Sequence, residues 1–366
     1  MESRRCREQP RRSALAGNAL NSCDEPQDEL HDEADTFRPP GLLRSAHLQS
    51  ILGSVPPRSW LIRRRAASLM ARAQPLLLDC GEGVRLLAYH SAQLQNRRAS
   101  DGRRLALLLH GWEGSADSPY VLSAAALLFQ HGFDLVRLNL RDHGATQALN
   151  RELFHSCRLP EVVGAVRAIS HQFPAARLYL GGFSLGGNFL LRVGAEKSAP
   201  ATIAGVVAVS PVLNPGATLR ALERSIPVYR RYFVQRWSRS LRAKARAWPG
   251  EHDFDELLRS ADLRRMTSDL VQRCTDFGTL EAYLDGYAVT GTRLAGLRVP
   301  GRVLLAADDP IIPASDLPQL ARSPRLSIVR TQYGGHCGFI ESLGRPSYAD
   351  RFMLEQFEHF ERLEGR

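Results

Sequence analysis

The stretch that decides the fold is Leu178-Tyr179-Leu180-Gly181-Gly182-Phe183-Ser184-Leu185-Gly186-Gly187-Asn188-Phe189-Leu190. An apolar run typical of a strand leads into a serine, and an apolar helical pattern follows. A serine on such a sharp strand-to-helix turn needs small residues two positions before and two positions after it, because the two backbones approach closely there. Gly182 and Gly186 occupy these positions. The stretch therefore predicts a nucleophile elbow with Ser184 as the nucleophile.

The surrounding sequence alternates short apolar runs with longer helical patterns. This rhythm is typical of βα units on a mainly parallel sheet flanked by helices, an α/β fold. The predicted strands are 105–109, 135–139, 178–180, 206–209, 303–306 and 326–329. The predicted helices are 120–130, 160–172, 187–194 and a closing amphipathic helix over 348–363.

Two parts of the chain depart from this rhythm. Residues 1–36 are polar and charged with few large apolar residues, which predicts a flexible tail. The catalytic domain is then expected over 37–366. Within it, residues 213–298 are helical and charged between two strands, and we expect them to form a cap insertion.

A serine hydroxyl needs a base to remove its proton, and the base needs an acid to hold its ring. Asp308-Asp309-Pro310 follows a predicted strand, and Gly334-Gly335-His336 follows the last one. Carboxyl ends of parallel strands share one edge of the sheet, where α/β folds place their sites. We therefore predict His336 as the base. Asp309 is preferred as the acid over its neighbour Asp308, because the Pro and apolar residues after it indicate a turn that directs it inward.

The negative charge that develops on an acyl oxygen needs backbone N–H donors. One is expected from Leu185, directly after the serine at the start of a helix, whose dipole also favours negative charge. The second is expected from Trp112, through its main chain, in the loop His110-Gly111-Trp112-Glu113-Gly114 after a predicted strand. His143 and His155, in a loop after another strand, are interpreted as structural or substrate-lining.

Composition limits the partners. The formal net charge is +10 with a pI near 9.7, which favours anionic partners. The arginines are spread over the chain without a nucleic-acid-binding motif, so no nucleic-acid partner is predicted. Neither zinc spacing nor a phosphate-binding glycine motif is present, so no metal and no cofactor is expected.

The six cysteines are irregularly spaced, which is typical of reduced thiols in a cytoplasmic protein. No apolar run reaches membrane-spanning length, and no secretory signal follows the first residues. We therefore expect a cytoplasmic protein; its oligomeric state is left open.

The predicted cap carries a basic and aromatic stretch. Its members are Arg230, Arg231, Arg236, Arg239, Arg242, Lys244 and Arg246, interleaved with Tyr229, Tyr232, Phe233, Trp237 and Trp248. One interpretation is a solvated helix face with its aromatic side chains packed inward. The other is peripheral contact with anionic lipid at the inner membrane surface, or with an acyl substrate.

With these residues in place, the chain resembles the YheT-like branch of the α/β-hydrolase superfamily, also called family four. The resemblance runs from about Phe37 onward. It rests on Phe37-Arg38-Pro39-Pro40, His47-Leu48-Gln49, the loop from His110 to Ser115, Asn139-Leu140-Arg141-Asp142-His143-Gly144, His155-Ser156, the Ser184 elbow and Asp308-Asp309-Pro310. It implies the α/β-hydrolase fold and a Ser184, Asp309 and His336 charge relay. It also implies a short- or medium-chain acyl ester or a monoacylglycerol as substrate.

The leading hypothesis is therefore a carboxylic ester hydrolase acting on a small ester or lipid. Acyl transfer to an alcohol uses the same residues and is a second hypothesis. The third is a non-catalytic member whose cap binds lipid or a partner.

Overall fold

A computed structural model describes residues 37–93 and 103–364. The tail predicted for 1–36 lies outside the described residues. The strands are β1 (Ala73–Asp79), β2 (Arg85–Ser91), β3 (Arg103–Leu109), β4 (Asp134–Leu138), β5 (Ala176–Phe183), β6 (Ile203–Val209), β7 (Gly301–Ala306) and β8 (Leu326–Thr331). They form one sheet in the order β1-β2-β4-β3-β5-β6-β7-β8. The pairs β1–β2 and β2–β4 are antiparallel, and all other neighbouring pairs are parallel.

The helices are α1 (Ala46–Leu52), α2 (Arg58–Arg65), α3 (Ala67–Ala71), α4 (Pro119–Gln130), α5 (Leu159–Gln172), α6 (Leu185–Ala195), α7 (Pro215–Arg224), α8 (Pro227–Ala247), α9 (Asp255–Leu258), α10 (Leu263–Cys274), α11 (Leu280–Gly286) and α12 (Tyr348–Glu364). Short 3-10 helices cover Gly41–Arg44 and Ala314–Gln319. Among the described residues, none of these helices is both long enough and apolar enough to cross a bilayer.

The sheet separates two apolar cores, and strand β3 shows why. Successive side chains of a strand point to opposite faces. Leu105, Leu107 and Leu109 accordingly belong to the core on one face, whereas Ala106 and Leu108 belong to the core on the other. Because both faces are covered by helices, the central strands are almost continuous apolar runs, as parallel sheets require.

The predicted α/β class agrees with this architecture, and the six predicted strands correspond to β3 to β8. The sequence reading missed β1 and β2, which are antiparallel and lie at one edge of the sheet. Each has only a short apolar run, Leu76-Leu77-Leu78 in β1 and Leu86-Leu87-Ala88 in β2, and most of its positions are exposed or half-buried. The turn between them, with Gly81 and Gly83 at positive φ, was the available signal.

The five helices α7 to α11 lie between β6 and β7, in the segment predicted to form a cap. Helix α8 is anchored to the rest of the molecule by Lys244, whose side chain is 1% exposed. Its Nζ donates to Asp142 Oδ1 at 2.9 Å and to the backbone carbonyl of Glu152 at 3.0 Å. Lys244 is therefore a buried anchor, not part of a solvated basic face.

Candidate active site

Ser184 lies on the turn between β5 and α6. Its backbone adopts φ 51° and ψ −120°, a conformation that L-residues rarely occupy. A Cβ atom on Gly186 would lie 2.4 Å from the carbonyl oxygens of Leu109 and His110, and one on Gly182 would lie 2.6 Å from the Gly186 backbone. Glycine at both positions is what allows the turn to form next to β3.

The structure brings the predicted base and acid to this serine. His336 Nε2 lies 3.0 Å from Ser184 Oγ, and His336 Nδ1 lies 3.0 Å from Asp309 Oδ2. The carboxylate accepts a hydrogen bond from Nδ1–H, which leaves the lone pair of Nε2 free to accept the serine proton. The three side chains come from the carboxyl ends of β5, β7 and β8, which share one edge of the sheet.

Asp309 is held by its own turn. Its side chain is fully buried, and its Oδ1 accepts hydrogen bonds from the amides of Ile311 and Ile312 at 2.8 and 2.9 Å. Asp308 has a different partner, because its Oδ1 accepts from the amide of Gly335 at 2.9 Å. Asp309 therefore contacts the imidazole, and Asp308 holds the loop that carries it.

The surroundings of His336 shift its pKa in opposite directions. Burial lowers the pKa of His336, and the neighbouring Cys337 and Asp309 raise it, so that the net pKa is well above the usual value. The hydrogen bond to Asp309 contributes in the same direction, because it stabilises the imidazolium form. The arrangement favours transfer of a proton onto Nε2.

The loop predicted to bind the oxyanion lies against the serine. A Cβ on Gly111 would be 3.0 Å from Ser184 Cβ, and both Trp112 and Leu185 line the cavity above the serine. Glu113, at φ 56°, donates its amide to His143 Nε2 at 3.1 Å. The loop is thus fixed in position from the side away from the serine.

Two buried histidines support this loop. His143 Nδ1 pairs with the carbonyl of Arg141 at 2.7 Å, so its Nε2 is the acceptor for Glu113. His110 pairs with the Gly111 carbonyl at 2.7 Å and accepts the Leu140 amide at 3.2 Å. Burial lowers the pKa of His110 to about 3, so it is neutral at physiological pH. His143 is thus a structural residue, one of the two roles expected for it; His155 lines the cavity, and burial lowers its pKa to about 4.

Sequence reasoning missed the residues that hold the His336 loop from outside. Gln49 of α1 is fully buried, and its side chain accepts the Ile340 amide at 2.6 Å and donates to the Ile340 carbonyl at 2.9 Å. Ser50 Oγ accepts the backbone amide of His336 itself at 2.8 Å. Gly335 packs so closely on α1 that a Cβ there would lie 2.3 Å from the Ala46 carbonyl. The His47-Leu48-Gln49 motif was the available signal, but its function was not evident without the fold.

The serine opens into a cavity of about 400 Å³. Most of its lining is apolar. Its deep part is formed by buried side chains of α7, α10 and α11, namely Leu219, Leu222, Leu263, Leu270, Tyr283 and Leu284. Its outer part is formed by Ser54 and Val55 after α1 and by Val228 and Tyr232 of α8. Trp112 stacks on Phe233 and contacts Trp237 edge-on, which joins α8 to the loop after β3.

Within the described ranges, no cluster of three or more His, Cys, Asp or Glu side chains has the arrangement of a metal site. The described cysteines, Cys80, Cys157, Cys274 and Cys337, are free thiols.

The sheet order and the serine on its strand-to-helix turn define an α/β-fold hydrolase. The model of the α/β-hydrolase fold family matches residues 107–343, and the chain belongs to this family. It is 25% identical to YheT of Escherichia coli, over 81% of this chain and 84% of that protein. The resemblance to the YheT-like branch is thereby confirmed.

A second relative and a solved structure are also similar to this chain. The chain is 24% identical to mouse phospholipase ABHD3 over 69% of its own length and 62% of that protein, so it spans less than two thirds of that relative. A solved esterase from Pyrococcus furiosus superposes with a TM-score of 0.51 at 14% identity, covering 79% of this chain and 90% of that one. This structural likeness supports the fold.

Proposed function

We propose that the protein hydrolyses carboxylic esters of short or medium acyl chains, monoacylglycerols included, with Ser184 as the nucleophile. One observation carries the proposal. Ser184 Oγ is hydrogen-bonded to His336, and His336 is hydrogen-bonded to Asp309, at the floor of an apolar cavity. An isolated serine on an elbow would lack a base. Here the base lies at hydrogen-bonding distance in the orientation that proton transfer requires.

In the proposed reaction, Ser184 Oγ attacks the acyl carbonyl while His336 Nε2 takes its proton. The resulting oxyanion accepts hydrogen bonds from the amides of Leu185 and Trp112. As the intermediate collapses, the bond to the alcohol breaks, and His336 returns the proton to the departing alkoxide. Water then attacks the acyl-enzyme with His336 again as base. The bond from Ser184 Oγ to the acyl carbon breaks, His336 returns the proton to Oγ, and the acid is released. Asp309 orients His336 and stabilises its charged form in both steps.

The cavity supports an acyl substrate. A buried leucine-rich wall in a mainly apolar lining gives an acyl chain of moderate length an apolar environment. We take residues 213–298 as the cap that supplies this wall. The free thiols fit a reducing compartment, and we place the activity in the cytoplasm.

The test is hydrolysis of p-nitrophenyl esters with acyl chains of increasing length by the purified protein. We expect kcat/KM to rise from acetate into the medium chains and to fall once the chain exceeds the cavity. Ser184→Ala should reduce turnover to background, and Ser68→Ala, an exposed serine on α3, should leave it unchanged. Equal turnover by Ser184→Ala and the parent would overturn the proposal, and ester formation with an added alcohol in preference to hydrolysis would replace it by acyl transfer.

A further inference from the structure

The outer end of the cavity is a rim between two helices. Val228 and Tyr232, one turn apart on α8, both line the cavity and remain 53% and 46% exposed. Ser54, after α1, lines it from the other side and is also exposed. Between them Tyr229 is buried, and its hydroxyl lies 3.0 Å from His47 Nδ1 of α1. The mouth therefore lies where the first turns of α8 meet α1.

Apolar side chains are exposed around this mouth. Ile226, which precedes α8, is 37% exposed, and Leu48, next to His47 on α1, is 43% exposed. Val228 and Tyr232 are thus exposed apolar side chains of the lining itself, and Ile226 and Leu48 are exposed apolar residues close to this rim along α8 and α1. Exposed apolar groups that surround the opening of an apolar cavity indicate a surface that meets another apolar phase.

Positive charge is concentrated on the first turns of the same helix. Arg230 and Arg231, which lie between Val228 and Tyr232 in the sequence, are exposed, and the Arg236 guanidinium lies over the Tyr232 ring at 5.4 Å. Helix α8 contains no acidic residue to neutralise them. Arginines interleaved with exposed apolar side chains match the headgroup boundary of an anionic bilayer, where the charges bind phosphates and the apolar groups insert.

We propose that the first two turns of α8, with Leu48 of α1, form a docking face for anionic phospholipid bilayers. Its position lets an ester substrate pass from the bilayer into the cavity without crossing water. This substrate route rests on the proposed ester hydrolysis, but the binding itself does not. A nucleic acid would use the arginines and leave Ile226 and Val228 without a role, so the apolar rim favours a bilayer. The structure also limits the interpretation of the basic stretch, because Trp237 and Lys244 are buried and do not contribute.

The test is co-sedimentation of the full chain with vesicles of phosphatidylcholine alone or with added phosphatidylglycerol. We expect binding to the anionic vesicles that weakens with salt. The double variant Arg230→Glu, Arg231→Glu should lower the partition coefficient at least about tenfold. Neither arginine lines the cavity, so turnover of a water-soluble ester should be unchanged, which also shows that the variant is folded.

The matched control is Arg322→Glu, Arg325→Glu. These exposed arginines precede β8, at the sheet edge opposite the serine, and their replacement changes the net charge by the same amount. We expect the control to retain most of its binding. Ile226→Ser should weaken the binding that remains at high salt, because it removes an apolar contact.

Equal losses in the two double variants would overturn the proposal, because binding would then follow net charge and not this face. Failure of the parent chain to bind anionic vesicles would also overturn it. If soluble esters are turned over while vesicles are not bound, the docking face is wrong and the hydrolase is not. If the chain binds vesicles but does not turn over soluble esters, the docking face is right and the proposed hydrolase activity is wrong.

Discussion

At the scale of single residues, two adjacent aspartates have different tasks. Asp309 Oδ2 contacts His336 Nδ1, whereas Asp308 Oδ1 accepts the Gly335 amide. The sequence pointed to Asp309 only through the proline and apolar residues that follow it. The reason is visible in the structure, because the amides of Ile311 and Ile312 turn back onto the Asp309 carboxylate.

These contacts separate the effects of two matched substitutions. Asp309→Asn should lower kcat by about 10⁴, because an amide can hold the imidazole in the wrong tautomer. Asp308→Asn should lower it by no more than about tenfold, since it disturbs a loop contact and leaves the imidazole partner in place. Steady-state kinetics on one ester measures both, and a larger loss at Asp308 would reverse the assignment.

The pH dependence follows from the pKa of His336. Only the neutral imidazole accepts the serine proton, so kcat/KM should fall as pH decreases through that pKa. Because the net effect of its surroundings raises the pKa, the acid limb should lie above the ordinary histidine value of about 6.5. In Asp309→Asn the limb should move to lower pH, because the imidazolium loses its carboxylate partner. A pH profile of kcat/KM checks both expectations. An acid limb below about pH 6.5 in the parent protein would contradict the account.

At the scale of secondary-structure elements, α1 is a support for the histidine loop. The segment from 37 to 60, which contains the Phe37-Arg38-Pro39-Pro40 and His47-Leu48-Gln49 motifs, has four prolines and is only partly apolar. Phe37 is fully buried and contacts Phe339 and Tyr348, so the packing is deeper than surface contact. The link from α1 to a loop nearly 300 residues later is a tertiary contact, and no local pattern encodes it.

Removing the support should affect catalysis more than folding. Ser50→Ala takes away the hydroxyl that accepts the His336 amide, and we expect kcat to fall about tenfold with a destabilisation of about 1 kcal/mol. Gln49→Ala should be more severe in both respects, because it leaves the buried Ile340 amide without its partner. Kinetics combined with urea unfolding measures the two effects, with Ser68→Ala as control. A normal kcat and pH profile in both variants would show that α1 has only a structural role.

At the scale of the whole molecule, the segment between β6 and β7 is tied to the sheet edge through α8. Lys244 Nζ donates to Asp142 in the loop after β4, and Ser240 Oγ donates to Glu113 Oε2 in the loop after β3 at 2.6 Å. The sequence predicted the α/β class, the central strands and a helical insertion at this place. It did not distinguish the buried Lys244 from the exposed arginines around it, because their patterns along the helix look alike.

The prediction at this scale concerns the effect of replacing Lys244 on the free energy of unfolding. Lys244→Met should cost about 3–5 kcal/mol of the free energy of unfolding, because Asp142 remains buried without its cation. Arg242→Met, two positions earlier and exposed, should change it by less than about 0.5 kcal/mol. Denaturant unfolding of both variants measures the difference, and equal stabilities would show that the pair of Lys244 and Asp142 does not anchor α8.

The central claim is that Ser184 is a nucleophile activated by His336. The most direct measurement is labelling of the folded protein with a fluorophosphonate, followed by peptide mapping. We predict a single adduct on the peptide that contains Ser184, absent after heat denaturation and in Ser184→Ala, and formed much more slowly in His336→Ala. An unlabelled folded protein, or an adduct on another serine with Ser184 unmodified, would contradict the account.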